Sequence, residues 1–315
     1  VDKNILEDGL TIISQCKSKT GGIWQAHIGA AAIAGYFFVR DNDLIKKLGP
    51  NVYKQSMAMI EENCPISRNQ RYSGCNIENS SDAILGSLDK TIDHLHWVGH
   101  NVIYSAISLL AIHELNGWGT DDDLSGICDL ILSFEKTIPG RSWIGFSASE
   151  VKRLAINEED YLDKIENPSQ LSYLVLEQLS EFPIIYRAES HHDLIGHMIT
   201  FSHALNILHD LGHVSFFKRG LPPLLKLIKV LRSSLHATPG EPIKLISPVD
   251  HLPLQKAEPS EFLPAAYNFW TKDYSRSNWD FGHIFKFSFS FYDHLRRVER
   301  VSDAYFENFR YVISQ

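Results

Sequence analysis

The chain has 315 residues, of which 44% are hydrophobic and 22% charged, and a formal net charge of −8. That length and composition suit a globular protein with a sizeable core. The acidic balance, with no Lys/Arg run interleaved with aromatics, argues against nucleic acid as a partner. The longest near-continuous apolar stretch, residues 26–39, has 14 residues, short of the roughly 20 that a membrane-spanning helix needs, so no membrane segment is expected. Four cysteines, Cys16, Cys64, Cys75 and Cys128, show neither the density of a disulfide scaffold nor a C-x-x-C spacing. On this cysteine usage alone, a reducing cytoplasm is the expected compartment.

In chain order, helical periodicity dominates and strand signals are sparse. A first helix is expected over residues 3–16, followed after Gly21-Gly22 by an apolar helix carrying His27 and a partner over 44–62, interrupted near Gly49-Pro50. Residues 65–81 are polar and read as a long loop. A second pair is expected over 94–115 and 124–136. Ser147 with Glu150 forms a capping-box sequence opening a helix to about 165, and Asn167-Pro168-Ser169 opens another ending near 182. A third pair covers 193–211 and 222–234, separated by Gly212 and Gly220-Leu221-Pro222-Pro223. Residues 237–264 carry six prolines and read as a second long loop, before a last helix over 279–298. The expected architecture is a single all-α domain over 1–315, with an insertion at about 137–190 and a long loop at about 237–264. Its helical-hairpin repeats would place inner helices around a central His/Trp-lined cavity.

The repeat rests on four histidines that follow Gly or Ala and open apolar runs: Ala26-His27, Gly99-His100, Gly196-His197 and Gly282-His283. Three copies extend to His-x-x-x-(Tyr/Phe)-Ser, as His100…Tyr104-Ser105, His197…Phe201-Ser202 and His283…Phe287-Ser288, while the first runs His27…Ala31-Ala32. The spacings, 27 to 100, 100 to 197 and 197 to 283, are unequal, which excludes a strict solenoid. On a helix the aromatic at +4 lies one turn from the histidine on the same face. Trp24 and Trp97 stand three residues before their histidines, and Trp279 four before the last. Imidazoles beside indoles suit a flat aromatic ligand, stacked by the indoles and oriented by ring nitrogens. Tyr104 adds a phenolic donor. Four core helices with merely satisfied histidines would give the same pattern copy by copy.

Metal binding is the competing chemistry. His96 and His100 stand at i, i+4, as do His209 and His213, and His191-His192-Asp193 adds further donors; each pair needs a third ligand that sequence does not supply. Residues His209, Asp210 and His213, in Leu208-His-Asp-Leu-Gly-His213, look like the metal signature of HD-type phosphohydrolases. His197 lies only 12 residues earlier, on what reads as the same helix, which does not suit that family's separate ligand helix. Position +13 of the repeat, Arg40, His113, Asp210 and Arg296 in turn, also explains Asp210 as a polar helix end with Gly212 closing it.

Taken in order, the histidine motifs resemble those of the questin oxidase-like family. Trp24-Gln-Ala-His27 is similar to its early histidine helix, Gly99-His-Asn-Val-Ile-Tyr104 to its His-x-x-Ile segment, and Gly196-His-Met-Ile-Thr200 and Gly282-His-Ile-Phe-Lys286 to its later histidine helices. These matches cover about a fifth of the chain. The resemblance implies an oxidoreductase acting on a polycyclic aromatic ketone or quinone by Baeyer–Villiger-type oxidation with molecular oxygen, with NADPH as the reductant. His27, His100, His197, His283 and Tyr104 would be the catalytic residues and Trp24, Trp97 and Trp279 the substrate-binding ones. No Gly-x-Gly-x-x-Gly follows a strand, so no built-in dinucleotide fold is expected. A non-catalytic protein binding a small aromatic ligand is the remaining alternative.

Overall fold

The computed structural model describes residues 2–63, 74–157, 164–237, 242–276 and 281–314. It is all-α: twelve α-helices among the described residues, with one two-stranded antiparallel ribbon pairing β1 (Trp143–Ile144) with β2 (Leu245–Ile246). The contacts gather into two compact units. The first comprises Val1–Thr91, Ile103–Glu135 and Pro264–Tyr292; the second comprises Ile92–Val102, Lys136–Leu263 and Asp293–Gln315. No described helix is long and apolar enough to cross a membrane.

In the first unit α2 (Ala26–Asp41) lies between α1 (Asn4–Thr20) and α3 (Ile45–Asn63). All but two of its residues are buried, because its sequence is apolar around the whole circumference rather than along one stripe. Small residues let α1 come close: a Cβ at Gly29 would stand 2.4 Å from the Gly9 carbonyl oxygen. The unit also holds α4 (Ile77–Leu88) and α6 (Asp121–Leu132), which pack on each other. Thr120 and Asp123 close a capping box at the start of α6, satisfying two of the donors a helix start leaves open. α5 (His100–Leu115) begins in the second unit and continues in the first.

The second unit is built on α9 (Leu194–Asp210), buried over all but its last two residues and flanked by α8 (Pro168–Ser180) and α10 (Val214–Arg232). The short α7 (Ala148–Arg153) opens on the expected Ser147/Glu150 capping box. The first ten residues of α11 (His283–Arg297) belong to the first unit and its last five to the second, where α12 (Asp303–Val312) packs on α8. A buried polar chain fastens α8, α9 and α11. Asn206 donates to Ser172 Oγ at 3.0 Å, and Ser172 Oγ lies 2.8 Å from His294 Nδ1. His294 Nε2 lies 3.0 Å from the Ile199 carbonyl. A carbonyl only accepts, so the proton sits on Nε2 and Nδ1 takes the serine hydroxyl proton.

Several boundaries differ from expectation. The polar stretch 65–81 contains the start of α4: Asn76 caps it by accepting from the Asn79 N–H at 2.8 Å, and Ser80 donates back to the Asn76 carbonyl. Its caps and buried serines gave it the composition of a loop; residues 64–73, with Cys64, lie outside the described residues. Pro50 sits inside α3, and Pro222 and Pro223 sit inside α10, which starts eight residues before the expected 222. The buried stripe Phe217, Leu221, Leu224, Leu225, Ile228 and Leu231 holds α10 helical across the prolines. α7 ends at Arg153 rather than near 165, α1 runs on to Thr20, and α11 starts at His283 rather than 279.

The tight α1–α2 contact predicts opposite effects for two glycine substitutions. Gly29→Ala should lower the unfolding free energy by about 1–3 kcal/mol through overpacking. Gly86→Ala, on the exposed face of α4 with nothing within 4 Å, should raise it by about 0.5–1 kcal/mol. Urea titration of the two variants checks both signs.

Candidate functional site

Each unit brings two of the four repeat histidines together. In the first unit, His27 is the second residue of α2 and His283 the first of α11. Their ring centroids lie 5.0 Å apart in an edge-to-face arrangement. Trp24 stacks on His27 at 5.7 Å and on Phe281 at 5.9 Å, and Phe281 tilts against His27 at 5.6 Å. Tyr104 meets His27 edge-on at 5.8 Å and donates its hydroxyl to the Ile23 carbonyl at 3.3 Å. His283 stacks on Phe287 at 5.1 Å, the same-face contact that the +4 spacing predicts. Phe281 and Gly282 both take left-handed backbone, φ 47° and 71°, immediately before α11. A non-glycine residue held there stores strain of a kind often found at functional sites.

The polar centre of this cluster is a pair that lies outside the expected set. Lys286 Nζ stands 2.5 Å from His27 Nδ1, with the lysine 5% and the histidine 1% exposed. An ammonium donates and never accepts, so His27 Nδ1 is the acceptor and its proton is on Nε2. Burial first, and then Cys16, push the Tyr104 phenol well above its ordinary range, which keeps it a neutral donor. The outer edge of the cluster is Trp24, half-buried, and Phe281, 36% exposed.

In the second unit His100 and His197 lie 4.9 Å apart, tilted. His100 Nδ1 donates to the Trp97 carbonyl. His197 Nδ1 donates to the Asp193 carbonyl at 2.8 Å and lies 3.4 Å from the Asp193 carboxylate. Nδ1–H bonds of this type fix the tautomer that presents Nε2 as base or ligand. Asp193 closes a single π-helical turn, Glu189–Asp193, that leads into α9. Such turns recur at functional sites. Asp250 accepts from the Glu189 and Ser190 amides at 2.9 and 2.8 Å, and Arg141 grips Glu189 at 2.8 and 2.6 Å. Trp97 thus enters through its carbonyl, on left-handed backbone at φ 40°. Trp279 lies outside the described residues.

The expected metal pairs are rearranged. Between His96 and His100 runs a 3-10 turn, Trp97–Gly99, so the two are not successive turns of one helix, and His96 Nδ1 instead lies 3.4 Å from Thr137 Oγ1. His209 lies on α9, but Gly212 at φ 90° ends that helix and His213 caps α10. Asp210 is bound by Arg297 at 2.6 and 3.3 Å. His209, Asp210 and His213 do not bring one ligand atom each within 4.8 Å of one another, so the geometry gives the phosphohydrolase reading no support.

Sequence reading missed Lys286 and Phe281 as site residues, and Asp193 as the partner of His197. Their signals were present: a lysine three residues after a repeat histidine among the phenylalanines of 285–291, an aromatic just before the repeat glycine, and a carboxylate at i−4. No family model, curated protein or solved structure matches the chain.

The second unit also contains a buried group with a pH signature. Burial pushes His294 down to about 4 and His203 down to about 3, from an ordinary 6.5. Burial alone would raise the Asp293 carboxyl, but His203 and the Arg297 guanidinium hold it well below its ordinary value. The unfolded chain therefore binds protons near pH 6.5 that the folded chain refuses. The stability these histidines contribute is complete above that pH and is lost as pH falls towards 4. The urea midpoint should be lower at about pH 4.5 than at about pH 7.5, and His294→Gln should flatten the difference; a wild-type midpoint equal at both pH values contradicts this.

Proposed function

We propose that the chain is an oxidoreductase of the questin oxidase-like type, acting on a polycyclic aromatic ketone or quinone whose oxygen is held in the histidine cluster of the first unit. The observation that carries the reading is the Trp24–His27 stack with Lys286 on the other ring nitrogen of His27. The indole and Phe281 offer flat apolar faces to a fused ring system. The Lys286 ammonium and the His27 Nε2–H are donors of the kind that polarise a carbonyl, while the Tyr104 hydroxyl is engaged with the Ile23 carbonyl. The order of the histidine motifs along the sequence supports the same reading.

Baeyer–Villiger-type oxidation inserts one oxygen atom of O2 beside the carbonyl and releases the other as water, with two electrons from a reductant such as NADPH. The described residues hold no Rossmann-type dinucleotide site: the two strands are two residues long each and pair antiparallel. The part proposed for this chain is therefore to bind the ring system, orient its carbonyl and hold the proton.

Titration with a sulfonated anthraquinone, followed by quenching of tryptophan fluorescence, tests the binding step. Trp24→Ala should weaken binding about tenfold, the equivalent of about 1.4 kcal/mol of lost stacking. His27→Gln should retain the helical circular dichroism and lose NADPH-dependent oxygen uptake. Binding unchanged in Trp24→Ala places the ligand elsewhere; wild-type binding without any oxygen uptake makes the chain a non-catalytic aromatic-binding protein.

A further inference from the structure

We infer that Lys286 is a covalent carbonyl-capturing residue: its amine forms an imine with an aromatic aldehyde or ketone, using His27 as the base that frees it. The inference rests on the reading above that this cluster takes an aromatic carbonyl compound, and adds a covalent step to it. Three observations carry it. Lys286 is 5% exposed, in the first turn of α11. Its Nζ is 2.5 Å from His27 Nδ1, an acceptor position on a neutral imidazole, so a proton has a direct path off the ammonium. The imidazole is itself fixed by rings on several sides, Trp24, Tyr104, Phe281 and His283, and so cannot swing away. A desolvated lysine beside a base is the usual construction for an amine nucleophile at neutral pH.

The step balances without an oxidant. Lys286 gives one ammonium proton to His27 Nδ1, the freed lone pair attacks the carbonyl carbon, and a second amine proton passes to the carbonyl oxygen. The resulting carbinolamine loses its hydroxyl as water with the proton returned from His27, leaving a protonated C=N bond to Nζ that keeps the third amine proton. Trp24 and Phe281 would hold the rings of the captured compound, and their partly exposed edge is the side from which it arrives. A simple structural role for Lys286, as a donor that fixes the His27 tautomer, would bring no such reactivity.

The test uses the native protein and 2-hydroxy-1-naphthaldehyde, a fused-ring aldehyde with an adjacent phenol, trapped by cyanoborohydride and located by peptide mapping. The expected result is one equivalent of reduced adduct on the Lys286 peptide. The adduct should disappear in Lys286→Arg and in Lys286→Met, and form about 10²-fold more slowly in His27→Gln, the loss expected for a positioned general base. Adducts scattered over exposed lysines, in equal yield in wild type and Lys286→Arg, overturn the inference. The mapping on wild type needs no variant to fold. Anthraquinone binding measured in parallel separates the two claims. Quinone binding with no Lys286 adduct overturns the imine and leaves the oxidoreductase reading standing; a Lys286 adduct without quinone binding keeps the imine and removes that reading.

Discussion

The constraint on which this structure depends is the burial of imidazoles in an all-helical core. His27, His100, His191, His192, His197, His203, His283 and His294 are all buried. A charged imidazole in such surroundings is costly, and a neutral one still carries a donor and an acceptor that need partners. The chain meets the requirement with helix ends. A helix start supplies carbonyls and amides outside the regular i, i−4 ladder, and the repeat histidines sit in first turns, where Trp97 and Asp193 offer their carbonyls to His100 and His197. In the same way the Tyr186 amide donates to His191 Nδ1 at 3.1 Å. The Gly/Ala-His motif is therefore a statement about helix starts as well as about chemistry.

That constraint also separates two kinds of histidine. His191, His203 and His294 are pushed to about 3, 3 and 4, with burial as the largest cause. In the second unit His294 is locked between Ser172 and Ile199, which makes it a fastener of helices. His27 differs: its Nδ1 partner is a side-chain amine, whereas His203 faces the Asp293 carboxylate and His294 bonds the Ser172 hydroxyl, and the ring contacts of His27 are aromatic. An amine partner can exchange a proton with the ring, whereas a carbonyl cannot, so the His27–Lys286 pair allows proton exchange between side chains.

The fold class and most helices were legible in the sequence because apolar runs and caps are local signals. Ser147/Glu150 works as a cap as its spacing implies, and Asn167 opens α8 as expected. The readings that failed depended on tertiary context. Pro222 and Pro223 signal a break, but the buried leucine stripe of α10 overrides them. Asn76 to Ser81 reads as polar loop, but its side chains serve the backbone of α4. The division into two units was not legible, because each unit is assembled from three separate stretches, and α5 and α11 each carry residues of both. At the site, the sequence identified His27, His283, Trp24 and Tyr104 as neighbours in kind. It did not identify Lys286, because one lysine on a helix usually faces solvent, and only packing reveals it as 5% exposed.

Buried helix-start histidines are held in defined tautomers by the hydrogen bonds at Nδ1, with His27 set apart by Lys286. The most direct measurement is long-range nitrogen–proton correlation NMR on protein labelled at the histidine ring nitrogens. With these hydrogen bonds, Nδ1 should carry a proton in His100 and His197, and Nε2 in His27, the last shifting when Lys286 is replaced by Met. The Nε2–H form at His100 or His197, or the Nδ1–H form at His27, would contradict it.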